Sequence, residues 1–339
     1  MPDTAPPPHQ TPPHQTLCHL VISIINYRTG PLTLQCVASV LADIAGLEAG
    51  VTAEVVVVDN ASGDGSADEI AAWIAAQDPA VPVHLVRSPV NSGFSGGHNQ
   101  GMAAIPAAFY LILNSDALLR PGFCHAILAA AEAQPAIGLF APRIEYDDGV
   151  QQISCFRFAS PASELIRGAA SGPVTRALHR HVVALDMPPA EGAIEWASFA
   201  CILLRGSMVQ AIGPMDQGYF LYFEDSEYCL RARRAGWRIA YVDQARAVHF
   251  RGGSGPVKAM AAARKRLPGY FYASRARFLY QAHGGAGLWT ANLLWLLGRG
   301  LAQTRRLLGK PVPPANQAEA RDIWANIFTP MGNWPNKGG

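Results

Sequence analysis

Glu224 and Asp225 stand side by side in FLYFEDSEYCLR, residues 220–231, between an aromatic run and a helical pattern. Acids at a helix start are favoured by the peptide dipoles, and Arg231, Arg233 and Arg234 near the far end complete that complementarity, with Gly236 as the stop. This leaves YFLYF, residues 219–223, unexplained: it is an aromatic cluster on which a sugar ring or an acceptor can pack. A carboxylate held ionised beside such a surface suits a general base at neutral pH, although the dipole that keeps it charged also weakens its pull on a proton. Two further acids end apolar runs, Asp59 in EVVVVDN and Asp116 in FYLILNSD. An Asp after a strand is also a common turn former, so neither decides anything alone.

These acids need strands to carry them. LVISIINY (20–27), EVVVVDN (54–60), VPVHLVRS (81–88) and FYLILNSD (109–116) read as buried strands, with helices predicted from Pro31 to about Ala45 and from Ala67 to Gln77. Strands alternating with helices give an α/β fold with a largely parallel sheet, whose ligands bind beyond the carboxyl ends of the strands. NSGFSGGHNQG (91–101) reads as a flexible loop before the fourth strand, its four glycines letting backbone N–H groups approach a ligand. His98 within it reads either as a phosphate contact or as a solvent-facing residue and stands outside the catalytic set. The first strand runs into NYRTGP, which is no dinucleotide fingerprint, and no Walker-type phosphate loop occurs.

Beyond Pro135, IGLFAPRIEY, QQISCFRF and IEWASFACILLR (194–205) read as strands, 160–189 as a loop, and the chain after Arg246 as helical and basic. GLWTANLLWLLG (287–298) is too short to span a bilayer. It reads either as a core-packing helix or as an interfacial one whose Arg299, Arg305, Arg306 and Lys310 meet anionic headgroups.

Half of the 339 residues are apolar, enough for a substantial core. The six cysteines form no C-x-x-C pair, which argues against a zinc site or a disulfide framework and fits a reducing cytosol. Residues 1–16, rich in proline and without a signal-peptide pattern, are expected to be a disordered tail. The net charge of +2 hides an asymmetry: from Gln244 to Ala318 there are twelve Lys and Arg and no Asp or Glu. That block suits an anionic membrane surface, and no nucleic-acid motif accompanies it.

Taken in order, INYRTG, VVVVDNASGDGS, NSGFSGGHNQG, LILNSD, EWASFACILLR, MDQGYFLYFEDSEYCLRARRAG and AVHFRGGS resemble the family 2 glycosyltransferases, especially the bacterial rhamnosyltransferase-like branch, over about Leu20 to Ser254. The resemblance implies a GT-A fold, a Rossmann-like mixed sheet flanked by helices with a helical C-terminal extension. It divides the chain into a nucleotide-binding half (17–120), an acceptor-binding half (121–255) and a basic extension (256–339). It also implies an inverting transfer from a nucleotide-sugar to a hydroxyl of a glycan or lipid-linked acceptor, with rhamnose as the leading donor sugar. Asp225 matches the general base, with Glu224 beside it. Asp116 and His249 match the holders of a divalent metal, Mg2+ or Mn2+. Asn26, Tyr27, Asp59, Asn91, Gly93, Phe94, Gly96, Asn99, Asn114, Ser115 and Trp196 fall on the nucleotide-sugar site. Asn114 departs from the first acid of the D-x-D pattern, and Phe199 replaces a customary glycine, either narrowing the pocket or repacking a core strand.

Such an enzyme would work in the cytoplasm, peripheral to the inner face of the cytoplasmic membrane, in cell-surface polysaccharide synthesis. The competing readings are a sugar-phosphate nucleotidyltransferase, disfavoured by the sparse NYRTGP turn, and an inactive nucleotide-sugar-binding module, which has no need of Asp116, Asp225 and His249 together.

Overall fold

The computed structural model describes residues 17–250 and 257–332. The proline-rich tail and the RGGS of AVHFRGGS lie outside the described residues. The strands are β1 (Cys18–Asn26), β2 (Ala53–Asp59), β3 (Val83–Arg87), β4 (Ala107–Asn114), β5 (Ala117–Leu119), β6 (Ile137–Glu145), β7 (Cys155–Phe156), β8 (Trp196–Ala197), β9 (Cys201–Arg205) and β10 (Arg238–His249). The helices are α1 (Gly30–Ile44), α2 (Ser66–Ala75), α3 (Gly93–Ala104), α4 (Phe123–Glu132), α5 (Pro161–Ala169), α6 (Gly172–Ala177), α7 (Gly206–Ile212), α8 (Glu224–Arg234), α9 (Val257–Ala262), α10 (Gly269–Leu307) and α11 (Glu319–Asp322).

Eight strands form one sheet in the order β3-β2-β1-β4-β9-β6-β10-β5, and β7 pairs with β8 in a small second sheet. β1, β2, β3 and β4 run parallel, while β9 runs antiparallel to both β4 and β6. The sheet is covered on both faces, which is why its strands read as nearly continuous apolar runs. Along β2, Val55 and Val57 pack into one layer and Val56 and Val58 into the other. Order reverses at β1, with β2 on one side and β4 on the other, and this leaves a crevice beyond their carboxyl ends.

Four expectations are corrected. Residues 93–104 are a helix, α3, and not a loop. Its glycines are packing positions: a side chain at Gly97 would meet Ile25, and one at Gly101 would meet Ser23. The region read as a loop from 160 holds α5 and α6, α5 opening on a Ser160–Ser163 capping box with Pro161 in its first turn. The strand read through 194–205 breaks between β8 and β9, where Phe199 turns aside. Residues 247–249, read as helical, belong to β10, which pairs with β6 and β5.

Gly93 opens α3 at φ +68°, and a Cβ there would collide with the Phe220 carbonyl. Gly93→Ala should cost about 2–4 kcal/mol, from left-handed backbone strain plus a steric clash with a neighbouring main chain. A urea unfolding curve with an unshifted midpoint would refute this.

Helix α10 packs back onto α5 and α8. One face of α10 lies on α5, with Gly168 and Gly298 letting the two backbones approach closely. Arg275, fully buried in α10, bonds Glu164 of α5 at 2.8 Å and Asn292 at 2.8 Å. Arg167 bonds the same Glu164 at 2.6 Å and also Glu319. The first half of α10 braces the segment before α8: Arg277 forks onto Asp216 at 2.9 and 3.0 Å, and Ser274 donates to the Leu221 carbonyl. Gly284 breaks α10 with a non-helical φ of 70°.

Candidate active site

A cavity of about 490 Å³ opens beyond the carboxyl ends of β1 and β4. Tyr27 and Thr29 line it after β1, Asn60 after β2, Asn114 and Ser115 after β4, and His249 at the end of β10. Phe220, Leu221, Tyr222, Glu224 and Asp225 line it from the segment leading into α8. Residues distant in sequence therefore converge on one space.

The acid pair is held by an uncommon backbone. Tyr222 and Phe223 have φ of 71° and 68°, a left-handed conformation costly for bulky residues, and they immediately precede Glu224. Phe223 packs against Phe271 and Phe278 of α10, which keeps the turn in place. This turn swings the first two residues of α8 into the cavity.

Burial then sets their electrostatics. Glu224 is 6% exposed, and burial with the adjacent Asp225 charge pushes its carboxyl well above the usual range. Burial likewise raises Asp225, to about 6, against hydrogen bonds from Ser226 and the Phe199 backbone that favour the ionised form. The sequence reading, which had the helix dipole weaken the proton affinity, is corrected: desolvation outweighs the dipole. A base with this proton affinity gives a rate that climbs through an apparent pKa near 6 and is flat above it. A kcat/KM profile lacking that acid limb would remove Asp225 from the role.

Asp116 is buried and does not itself line the cavity, in contrast to Asn114, Ser115 and His249; its Oδ1 lies 3.3 Å from His249 Nε2. The Asn114 amide nitrogen is 3.4 Å from the same ring nitrogen. Ser115 Oγ sits 3.1 Å from Thr29 Oγ1, tying β4 to the turn after β1. Among the described residues no cluster of three or more His, Cys, Asp or Glu is assembled for a metal. Asp116 and His249, with Asn114 nearby, offer a sparse set of mixed oxygen and nitrogen donors. Such a set fits a Mg2+ or Mn2+ ion that takes its remaining ligands from substrate phosphates and water.

The nucleotide-sugar positions divide. Tyr27, Asn91, Gly93, Phe94, Asn114, Ser115 and Trp196 line the cavity. Asn26, Asp59, Gly96 and Asn99 do not line it, contrary to their assignment as contacts. Asn26 is spent inside the protein, donating to Asp59 at 2.7 Å, Ser62 at 3.1 Å and Ser66 at 2.8 Å. Asp59 accepts the first of those bonds and two more from Ser62, its backbone N–H at 3.3 Å and its Oγ at 2.5 Å, so it fixes the turn after β2. Gly96 lies against Ser92, and Asn99 clamps Met215 through paired bonds of 2.9 Å. Trp196 stacks on Phe156 at 4.2 Å.

Asn60 and His98 are among the cavity residues that the sequence reading did not assign to the site, as are Thr29, Gln152, Ser198 and Tyr270. Asn60 orders the start of α3, donating to Asn91 and to the Gly93 carbonyl at 3.0 Å each. His98 is fully buried, not solvent-facing, because α3 turns it onto β1. Its Nδ1 is 2.9 Å from Ser23 Oγ, its Nε2 has no partner among the described residues, and burial lowers its pKa to about 3. The helical spacing of Ser95, His98 and Met102 was the signal available. Phe199 lines the cavity and also packs edge-on against Tyr228, so it does both of the things the sequence left open.

Residues 21–167 match the glycosyl transferase family 2 model. The chain is 27% identical over 312 residues to the N-acetylglucosaminyl-diphospho-decaprenol L-rhamnosyltransferase of Mycobacterium tuberculosis, covering 85% of this chain and 92% of that one. It is 25% identical to the low-salt glycan biosynthesis hexosyltransferase Agl10 of Haloferax volcanii, over 68% of this chain and 66% of that relative. Among solved structures, a Pyrobaculum calidifontis mannosyltransferase in complex with GDP-Man and Mn2+ superposes with a TM-score of 0.54 at 15% identity, covering 94% of this chain and 83% of that one. GalNAc-T7 with UDP, GalNAc and Mn2+ gives 0.56 at 12% identity, over 93% and 55% of the two chains. At such identities these two structures speak for the fold alone. The family 2 match thus lies in residues 21–167, while the chain as a whole is similar in sequence to a rhamnosyltransferase and shares the GT-A fold of solved glycosyltransferases.

Proposed function

We propose that the protein transfers a sugar, rhamnose first among the candidates, from a nucleotide-diphosphate donor to a hydroxyl of a glycan or lipid-linked acceptor, with inversion at the anomeric carbon. The observation that carries this reading is one cavity lined both by Asp225 and by the Asn114, Ser115 and His249 group. The lipid-linked acceptor draws support from the decaprenol-linked substrate in the name of the mycobacterial relative.

In this reading Asp225 takes the proton of the attacking hydroxyl. Its raised proton affinity makes it a stronger base than a solvated carboxylate while leaving it ionised at neutral pH. Glu224, whose burial and neighbouring charge favour its protonated form, shares the wall and donates toward the acceptor or the sugar. Asp116 and His249, with Asn114, would hold a divalent cation. Such an ion supplies charge neutralisation to a leaving diphosphate. His98 presents a neutral imidazole on the donor side, and the exposed parts of Phe220 and Tyr222 face the sugar or acceptor. Residues 17–120 form the nucleotide half, 121–255 the acceptor half and 256–339 the extension. Work at the cytoplasmic face of the membrane, with the basic stretch 244–318 against anionic lipid, completes the proposal.

The test is incubation with Mg2+ or Mn2+ and a panel of UDP-, dTDP- and GDP-sugars, reading nucleoside diphosphate release and the anomeric configuration of the product. Release of diphosphate with an inverted product is expected. Pyrophosphate with sugar 1-phosphate would replace the reading by nucleotidyl transfer, and silence across the panel would leave only a binding module.

A further inference from the structure

The half of α10 that follows Gly284 buries one face and exposes an apolar face opposite. Leu288, Ala291, Trp295, Gly298 and Ala302 point inward. Trp289, Leu293, Leu296, Leu297, Leu301 and Leu307 point outward, Leu293 and Leu297 at 55% exposure and Leu307 at 87%. From Ala286 to Leu308 the only charged residue fully on the exposed side is Arg306. Phe328, 84% exposed, packs edge-on against Trp289 and extends the surface at one end. A row of exposed leucines this continuous is unusual on the surface of a monomer and calls for an occupant.

We propose that this face of α10 is a monotopic membrane contact, lying in the plane of an anionic bilayer with Trp289 and Phe328 at the lipid boundary. This narrows the membrane reading of 244–318 given above and rests on it. No helix among the described residues is long and apolar enough to cross a membrane, so the helix lies on the surface.

Charge complementarity selects lipid. Arg306 and the exposed Lys310 edge the face, and a cavity of about 270 Å³ beside it, lined mainly by apolar residues, presents Gln303, Arg306 and an Arg299 that also donates to the Gly168 and Pro313 carbonyls. Pairing the face with a second copy would bring two cationic edges together, with no carboxylate from 244 to 318 to neutralise them. The buried face is already occupied by α5, so the outward leucines are not needed to hold the helix in place.

The test is co-sedimentation of the full chain with phosphatidylcholine vesicles, with and without phosphatidylglycerol. Binding to the anionic vesicles, weakened by high salt, is expected. Leu297→Asp with Leu301→Asp, both solvent-exposed and therefore compatible with folding, should cut partitioning by about tenfold or more. Arg306→Glu should cut it about fivefold. Transfer to a water-soluble acceptor should be unchanged in these variants. No binding to anionic vesicles would sink both this proposal and the broader membrane reading. Binding indifferent to the leucine substitutions would sink this proposal alone. Self-association without lipid that the same substitutions abolish would give the face to a second copy. Loss of transfer in the wild type with intact vesicle binding would strike the enzymatic reading and leave this one standing.

Discussion

Asp225→Asn lowers transfer by about 10²- to 10⁴-fold while donor binding persists, since the amide keeps the shape of the carboxylate and loses only its capacity to take a proton. The expected readout is a collapse in kcat with little change in donor KM. Stability should move the other way. Burial raises the folded-state pKa of Asp225 to about 6, above its ordinary value, so its contribution to stability is complete in acid and is lost as pH rises through 6. An Asn at 225 never ionises, so the variant should melt higher than wild type at neutral and alkaline pH alike and lose that advantage in acid. A variant that is both inactive and markedly less stable would mean that Asp225 is structural.

Glu164→Ala is the second large effect. Burial alone would raise the Glu164 carboxyl, but Arg167 and Arg275 outweigh it and hold the pKa at about 2. Removing the acid leaves Arg275, 3% exposed, as an uncompensated buried charge, a change that costs about 3–5 kcal/mol. The sign with pH is opposite to that of Asp225: a depressed pKa contributes stability above the unfolded value and loses it as pH falls through about 2. Urea unfolding at neutral pH should therefore show a wide gap between wild type and variant, and the gap should close in acid. An unchanged midpoint would mean that the arginines find water or other partners.

The fold was readable where burial is symmetric. The Val and Ile runs of β1, β2 and β4 can serve little else, and α8 announces itself by acids at one end and arginines at the other. α3 was misread because glycine disfavours helices intrinsically, while here the requirement is close approach to Ile25 and Ser23, a property of tertiary structure. α5 carried Pro161 in its first turn, yet its apolar stripe is short and finds its partner in α10, more than a hundred residues away. Asn26 and Asp59 were placed at the right sheet edge by their position. That each satisfies the other, leaving the cavity to Tyr27 and Asn60, depends on rotamers that spacing does not encode. The proton affinity of the acid pair was likewise invisible, because it comes from how deeply the Tyr222 and Phe223 turn sinks the pair.

The fork from Arg277 to Asp216, the Ser274 bond to Leu221 and the rings of Phe271 and Phe278 beneath Phe223 bear on protein engineering. A fragment ending at 255 would carry nearly every recognisable motif and lack the strut under its own Tyr222–Phe223 turn. Chimeras built to exchange acceptor preference would have to move 214–225 and 269–281 as one cassette, since each half is shaped to the other.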